Sequence, residues 1–486
     1  MTDLRYDEPR GRWVLLAAVL GSAMVFVDGT AVNVALPHIG AGLHTSLSGL
    51  TWTVNAYTLT LAALILLGGS LGDRFGRHRV FVVGTIWFAA SSLLCGLAPN
   101  IGTLISARAL QGVGGALLTP GSLAILQASF RPDDRARAIG AWSGLAGIAG
   151  AAGPLLGGWL VEVASWRWIF LINLPFACAV VAVALRHVPE SRDPAASRTV
   201  DVPGAVLGAV GLGLLTDGLI AWQGRDPGSV QVWLPLAGGL SGLLLFVLRE
   251  HSAREPMLPL GIFRARLFSA TNAVTFAVYA ALSGVVFWLV LSLQVVAGFA
   301  PVRAGLALLP VTLLMLLLSP RAGALATRTG PRLPMTAGPL LCALGVGWLA
   351  LVGTHPSYLL DILPPVVLFG LGLSATVAPL TATVLAAAPV EHAGLASGVN
   401  NAVARVAGLL SVAVLPVVTG LSGGGYDDPV RLHRAYGTAL WCSAGLLTLG
   451  AAMAAALIRT PGHLHPSGHR SSPVCAPPFE EVPVAG

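Results

Sequence analysis

Two ionisable side chains, Asp28 and Arg108, stand inside long apolar segments of the chain. A charged group in the hydrocarbon core of a membrane costs about 2.5–3.5 kcal/mol on insertion scales, so it usually faces a cavity or a partner. Arg108 stays protonated in a protein and cannot relay a proton by titrating, but it can hold a neighbouring carboxylate in the ionised form. Asp28 is therefore a candidate for binding and releasing a proton, with a fixed structural contact as the alternative role.

The segments around these charges have the composition of membrane-spanning helices. Of the 486 residues, 55% are hydrophobic and 10% are charged, whereas soluble domains carry about 25% charged residues. Apolar runs of about twenty residues span ~30 Å of hydrocarbon as helices, which satisfy their own backbone polar groups. The sequence predicts an all-α polytopic membrane protein.

Fourteen spans are predicted, as two sets of six that flank an inserted pair. At ~1.5 Å per residue, the depths of Asp28 and Arg108 in the first and fourth spans agree within about one turn, so pairing is feasible. The predicted spans are 13–36, 50–72, 79–98, 102–128, 137–160, 167–185, 203–222, 231–248, 268–293, 303–320, 334–353, 361–386, 394–419 and 437–458. The corresponding regions are a cytoplasmic N-terminus (1–12), an N-terminal half (13–186), a linker with two inserted helices (187–250), a C-terminal half (251–459) and a disordered cytoplasmic tail (460–486).

The basic residues indicate how the chain is oriented in the membrane. All 28 of them are arginine, and most fall in alternate loops counted from the N-terminus. This positive-inside pattern places both termini in the cytoplasm. Topology therefore explains the net charge of +7, and no nucleic-acid partner is expected.

The loop Gly68–Val80 has a distinctive spacing of glycines and charges. The positive-inside rule explains its arginines but not Asp73 at the helix end, and Gly76 suits a tight turn with positive φ. The spacing closely resembles the signature loop between helices 2 and 3 of the major facilitator superfamily of transporters. Residues 323–332 repeat it, with Thr327 in the place of Asp73.

Further segments resemble the fourteen-helix drug:proton antiporter branch of that superfamily. Phe26–Pro37 is similar to its first helix, and the segment around Arg108 matches the superfamily's fourth-helix motif, which is associated with proton transfer. The segment Trp166–Phe176 resembles the entry to the sixth helix, although alone it would be an aromatic anchor at the membrane interface. The resemblance implies a proton-coupling and substrate-binding set of Asp28, Asn33, Arg108, Gln111 and Arg405.

The fifth span carries Gly153-Pro154 followed by Gly157-Gly158, which matches the motif characteristic of exporters in the superfamily. The family pattern has a further glycine where this chain has Ala149. Proline removes a helical hydrogen bond and glycines let a second helix approach, so bending and sliding can concentrate here. The gating residues implied by this motif and by the loop motif are Gly69, Asp73, Arg74, Gly76, Arg77, Gly153, Pro154, Gly157 and Gly158.

The resemblance covers about residues 10–460 and predicts a major facilitator fold. It implies a non-enzymatic exporter of lipophilic drugs or antibiotics that uses alternating access and an inward proton flow. The expected partners are a small lipophilic substrate, protons and membrane lipid. We expect a monomer in the bacterial cell membrane, with no metal and no cofactor. Because the chain has no lysine, it has no Walker motif, so an ion gradient or substrate flow must supply the energy.

Several alternatives stay open at the level of sequence. One alternative is an exporter of a metabolite that its host makes, and another is a non-transporting membrane sensor or scaffold. Asp217 is either a second protonatable site or a side chain that reaches the outer interface. The tail residues His463, His465 and His469 lack cysteine or carboxylate partners at ligand spacing, which disfavours a metal site.

Overall fold

The computed structural model describes the chain over residues 4–192, 201–226, 228–253, 256–387, 393–421 and 428–458. The predicted tail, with its histidines, lies outside the described residues, as does part of the linker. The regular secondary structure of the described residues is helical, apart from an isolated bridge in which the Leu4 amide donates to the Ser129 carbonyl (3.0 Å). This bridge ties the start of the chain to the end of its fourth helix.

The N-terminal half consists of seven helices, the sixth of which is a single turn. They are α1 (Pro9–Leu43), α2 (Leu47–Phe75), α3 (Arg77–Gly96), α4 (Ile101–Ser129), α5 (Pro132–Val163), α6 (Trp168–Leu171) and α7 (Asn173–His187). Two further helices follow, α8 (Val202–Trp222) and α9 (Val230–Ser252).

The C-terminal half begins after a 3-10 turn at Leu260–Arg264. Its helices are α10 (Arg266–Val295), α11 (Pro301–Leu306), α12 (Leu309–Thr329), α13 (Arg332–Leu349), α14 (Leu363–Ala386), α15 (Ala393–Thr419) and α16 (Pro429–Leu457). A π-helical turn at Tyr358–Ile362 leads into α14.

Within the described residues, twelve helical segments are long and apolar enough to cross a membrane. They include α8 and α9, but not α5, whose apolar part is short, and not α13. The chain is therefore a multi-pass membrane protein, and the count of fourteen spans stays a prediction.

Polar caps extend the helices beyond their apolar cores. The predicted last span starts at 437, whereas α16 begins at Pro429. The Asp428 carboxylate accepts from the amides of Val430 (2.9 Å) and Arg431 (3.3 Å), so it satisfies donors that the first helical turn leaves free. Hydropathy does not detect such a polar first turn.

Glycines let α4 lie close to both α2 and α3. A Cβ on Gly114 would stand 2.7 Å from the Phe88 amide nitrogen in α3, and one on Gly112 would clash with the Tyr57 carbonyl in α2. The Thr60 hydroxyl donates to the Ala109 carbonyl at 2.8 Å across the α2–α4 contact. Because small residues permit this approach, side chains of α2, α3 and α4 meet in one place.

The two halves share extensive contacts at one end of the bundle. We call this the far end, since it holds the turn between α1 and α2, and we call the opposite end, which holds the start of α1, the near end. At the far end, the Gln294 side chain donates to the Val34 carbonyl (2.9 Å). A Cβ on Gly158 would lie 2.7 Å from the Pro301 carbonyl oxygen, so α5 and α11 touch through their backbones.

The buried apolar residues follow the same division. The far-end residues of the N-terminal half share one cluster with the C-terminal half, whereas its near-end residues form a cluster of their own. Members of the shared cluster from the N-terminal half include Val34, Ile39, Leu104 and Phe170. The halves therefore share an apolar core at the far end.

The contact between α1 and α5 at Gly157 provides a stability prediction. A Cβ on Gly157 would stand 2.9 Å from both the Cβ and the carbonyl oxygen of Ala31. Gly157→Leu therefore overpacks the helix interface, and we expect it to cost about 1–3 kcal/mol of stability. Thermal unfolding of the purified protein in detergent measures the effect.

Gly140→Leu is the matched control, because it lies on the same helix and has no heavy atom within 4 Å of its Cβ position. It should leave the unfolding temperature nearly unchanged. Equal effects of the two substitutions would contradict the close contact between α1 and α5.

Candidate functional site

A buried ion pair joins α1 to α4. The Asp28 side chain is fully buried and that of Arg108 is 1% exposed. Arg108 Nη1 donates to Asp28 Oδ2 at 2.5 Å. The pairing that the sequence permits is thus present, and it lies out of contact with solvent.

The guanidinium of Arg108 has further partners beyond the carboxylate. Its Nε donates to the Thr53 carbonyl (3.1 Å) and its Nη1 to Gln111 Oε1 (2.6 Å). Its central carbon lies 4.2 Å from the centre of the Tyr57 ring and 5.6 Å from that of Phe170, both within range of cation–π attraction. These contacts offset the cost of removing a positive charge from water.

Neutral polar side chains donate the remaining hydrogen bonds to Asp28. Oδ1 accepts from Gln111 Nε2 at 2.8 Å and from Asn173 Nδ2 at 3.3 Å. The same two amides also reach the Ser92 hydroxyl, at 2.8 Å and 3.3 Å. We call Asp28, Arg108, Gln111, Asn173 and Ser92 the polar cluster.

The residues of the polar cluster lie on four different helices, which must pack together for the cluster to form. Asn173 is the first residue of α7, directly after the break at Ile172 that separates α7 from α6. Ser92 lies on α3, which the glycines of α4 bring close. The cluster therefore depends on the packing of α1, α3, α4 and α7 together.

Two predicted members of the coupling set lie apart from the polar cluster. The Asn33 amide donates to the Gly29 carbonyl of its own helix (3.2 Å). Arg405 is half-buried, with its guanidinium carbon 5.9 Å from the centre of the Phe26 ring, and no carboxylate among the described residues lies within ion-pair distance of it. The structure thus brings Arg405 from α15 to the face of α1 without joining it to Asp28.

The predicted gating loop lies at the near end, where Gly76 has the positive φ (114°) expected of a tight turn. Asp73 pairs with Arg77 at 2.8 Å, and the Arg77 amide donates to the Ser191 carbonyl (2.9 Å). Glu190, which sequence reasoning missed, accepts from the His78 amide at 3.2 Å. The loop between α2 and α3 is therefore held to the end of the N-terminal half.

The other residues of the predicted gating set lie on α2 and α5. Arg74 is exposed and lies over the Phe75 ring, and Gly69 faces Pro120. In α5, a Cβ on Gly153 would clash with the Thr30 hydroxyl of α1, and Pro154 lies against Gly305 of the C-terminal half. The exporter-like segment therefore contacts α1 on one side and the other half on the other.

Sequence reasoning missed part of the polar cluster. Asn173 lies within the segment Trp166–Phe176, whose sequence indicates only a helix entry or an aromatic anchor, and nothing in the sequence distinguishes Ser92, Thr53 or Tyr57. A polar side chain in an apolar span was the available signal, but many serines and threonines in these spans bond only to their own helix, as Ser122 does with the Leu118 carbonyl. Only the packing of the helices distinguishes a polar side chain that bonds to another helix from one that bonds to its own helix.

Two surface grooves lie away from the polar cluster. One, of about 610 Å³ at the near end, is lined by Leu71, Phe75, Arg79, Val80, Val83, Leu117 and Arg192. The other, of about 600 Å³ at the far end, is lined by Phe299, Arg303, Leu306, Leu309, Pro310, Leu313 and Tyr358. Neither groove contains a buried charge, so the polar cluster is the better candidate for the functional centre.

A helical membrane bundle with a buried carboxylate–guanidinium pair is typical of ion-coupled transporters. The model of the Major Facilitator Superfamily matches residues 18–412, and the chain belongs to this superfamily. It is therefore a transporter protein and not an enzyme.

Relatives of the chain include proteins named for antibiotic export or for multidrug resistance. The chain is 35% identical over 431 residues to the tetracenomycin C resistance and export protein of Streptomyces glaucescens, covering 86% of this chain and 80% of that one. It is 37% identical to multidrug resistance protein Stp of Mycobacterium tuberculosis over 402 residues, or 82% and 74% of the two chains. It is 36% identical to the cephamycin export protein CmcT of Amycolatopsis lactamdurans over 451 residues, or 90% and 92%.

Solved structures support the same fold. A POT family transporter in complex with a thioalcohol-conjugated peptide has a TM-score of 0.70 at 13% identity, covering 93% of this chain and 97% of that one. A D-xylose–proton symporter has a TM-score of 0.66 at 14% identity, covering 92% and 98%. At these identities the likeness concerns the fold alone.

The buried pair makes a prediction about stability. Arg108→Met leaves Asp28 as an uncompensated buried charge, so we expect a loss of about 3–5 kcal/mol. Adding Asp28→Asn removes that charge, and the double variant should be more stable than Arg108→Met alone. Thermal unfolding in detergent compares the two single variants with the double variant.

Arg405→Met is the matched control, since Arg405 has no carboxylate partner among the described residues. Adding Asp28→Asn to Arg405→Met should give no rescue. Strictly additive losses for Asp28→Asn and Arg108→Met would contradict direct coupling of the pair.

Proposed function

We propose that the chain is a proton-coupled exporter of lipophilic drugs or antibiotics that works by alternating access. The single observation that carries the proposal is the buried pair of Asp28 and Arg108 in the transmembrane bundle. The names of its relatives, which include export and multidrug resistance proteins, favour the outward direction and the substrate class.

Asp28 is the proposed proton-binding residue. The paired carboxylate is fully buried, so in the described arrangement a proton can reach it only after the surrounding helices move. Protonation of Asp28 would remove the negative partner of Arg108. The guanidinium then keeps the Thr53 carbonyl, the Gln111 side chain and the Tyr57 ring, which lowers the cost of the exchange.

The proposed coupling is a competition at Asp28. A cationic substrate and a proton would compete for the Asp28 carboxylate, so the binding of one displaces the other. Asn33 and Arg405 are proposed to contact the substrate, because both side chains are partly accessible and Arg405 reaches α1 from the C-terminal half. Arg108 and Gln111 are proposed to position Asp28.

Gating is proposed to use the contacts between the halves. The far end is closed by α1, α5, α10 and α11, so export requires these helices to separate there. The glycines of the exporter-like segment, Gly153, Gly157 and Gly158, permit sliding at this contact, and Pro154 weakens the helix locally. At the near end, Asp73 is proposed to leave Arg77 and bind the start of α15 when that end closes, with Gly69, Arg74 and Gly76 shaping the loop.

The proposed topology has fourteen spans, with α8 and α9 as an inserted hairpin between two six-span halves. In this arrangement α6 and α7 together form one span, as do α11 and α12. Both termini are proposed to lie in the cytoplasm of a bacterial cell, and the halves are proposed to comprise residues 13–186 and 251–459. We further propose a monomer that needs no metal and no cofactor.

The second candidate is an exporter of a natural product that the host itself makes. Some relatives carry the name of a single compound, such as the tetracenomycin C and cephamycin export proteins and a probable actinorhodin transporter of Streptomyces coelicolor. The two candidates share one mechanism and differ in the breadth of substrates. A screen of toxic compounds in a drug-hypersensitive strain separates them, since a dedicated exporter protects against one compound class.

Uptake by inverted membrane vesicles tests the proposed function. With an imposed proton gradient, wild-type vesicles should accumulate a protective compound found by the screen. Asp28→Asn removes the proton-binding carboxylate and should reduce gradient-driven uptake to the level of empty vesicles. Asp28→Glu should keep partial uptake with a shifted pH optimum.

Asp133→Asn is the matched control, because Asp133 is exposed at the start of α5 and away from the polar cluster. It should transport at the wild-type rate. Protection from no compound, together with no uptake by wild-type vesicles, would overturn the exporter proposal and favour a sensor.

A further inference from the structure

A pair of acidic residues, Asp201 and Glu250, lies at the near end of α8 and α9. Asp201 precedes α8, and its Oδ1 accepts from the Gly204 amide at 3.0 Å, as a capping residue does. Glu250 lies in the last turns of α9, and its Oε2 accepts from the Leu258 amide at 2.7 Å. The two residues are 8% and 2% exposed, so both carboxyl groups are removed from water.

The remaining oxygen of each carboxyl group lies beside Gly204. Asp201 Oδ2 and Glu250 Oε1 are both buried, and neither has a hydrogen-bond donor among the residues that the structure describes. They converge beside Gly204, where a Cβ would lie 2.8 Å from the first oxygen and 2.6 Å from the second. The absence of a side chain at Gly204 is what allows them to approach.

Among the described residues, the charges around the pair do not balance two ionised carboxylates. Arg249 Nη2 lies 3.4 Å from Asp201 Oδ1, and it is the one cation within ion-pair distance among the described residues. Its side chain is 44% exposed, so water weakens its effect. A buried oxygen without a donor is costly, and two like charges that share one site do not both ionise readily.

We propose that Asp201 and Glu250 hold one proton between Oδ2 and Oε1 and so form a proton-binding site separate from Asp28. Whichever carboxyl group carries the proton donates a hydrogen bond to the other. One proton supplies the missing donor for both oxygens and removes one of the two negative charges. The pair then carries a single charge, which Arg249 balances.

The position of the site gives the proton a structural role. Asp201 fixes the start of α8, and the bond from Leu258 to Glu250 fixes the connection from α9 to the C-terminal half. That connection packs on the C-terminal half, where the Phe263 and Phe268 rings lie 5.4 Å apart. The bound proton therefore keeps the connection packed on the C-terminal half. Loss of the proton at high pH leaves two carboxylates that repel each other, which loosens this packing.

Hydrogen–deuterium exchange of the full chain tests this inference without requiring transport. After correction for the intrinsic effect of pH, the amides of residues 256–264 should exchange roughly tenfold faster at pH 9 than at pH 6, as expected when one hydrogen bond is lost. Glu250→Gln places an amide donor toward Asp201 and keeps an acceptor for the Leu258 amide. It should stay protected at both pH values.

Two further variants make the test specific. Asp201→Asn also supplies a donor between the oxygens, keeps the capping acceptor, and should likewise abolish the pH dependence. Glu162→Gln, the same substitution at an exposed residue of α5, should behave like the wild type. Infrared difference spectra should show a protonated carboxylic acid in the wild type at pH 6 that Glu250→Gln lacks.

Three results would overturn the inference. The first is wild-type exchange in residues 256–264 that does not change with pH. The second is Glu250→Gln exchanging faster at pH 6 than the wild type. The third is protection that follows sodium concentration at constant pH, since a metal cation would then bridge the carboxylates in place of the proton.

Discussion

The arrangement of the N-terminal half depends on one buried electrostatic interaction, the pair of Asp28 and Arg108. Removing two charged groups from water carries a large desolvation cost, so a buried ion pair is stable only when each group has close polar partners. Three helices, α2, α4 and α7, supply these partners: the amides of Gln111 and Asn173 bind the carboxylate, and the Tyr57 ring faces the guanidinium. The glycines of α4 make this possible, because they allow α2 and α3 to approach closely enough.

The same interaction links protonation to movement in the account proposed for transport. The Asp28 carboxylate is sealed from solvent in its pair with Arg108, so a proton reaches it only when the bundle opens. The far end, where the backbones of Gly158 and Pro301 meet, is closed in the described arrangement. A change of charge at Asp28 alters the partners of Arg108 on α4. Asp28 is on α1, and the exporter-like segment of α5 packs against this same helix.

The sequence was sufficient for the helical membrane fold and for the superfamily, since apolar runs and spaced motifs are local features. The depths of Asp28 and Arg108 also predicted that they can pair. Depth does not determine the direction in which a side chain points, so the sequence grouped Asn33 and Arg405 with Asp28, whereas the structure places them apart. Asn173 and Ser92 were missed because their role depends on contacts between helices, and the roles of the gating residues and the fourteen spans stay predictions.

The central claim is that substrate and proton exclude each other at Asp28, and proton release from the purified protein measures this most directly. A transported cationic compound is added to detergent-solubilised protein in weak buffer, and a pH indicator records the protons released. We expect release from the wild type and none from Asp28→Asn, although a neutral transported compound still binds to this variant. Release from Asp28→Asn at the wild-type level would contradict the account.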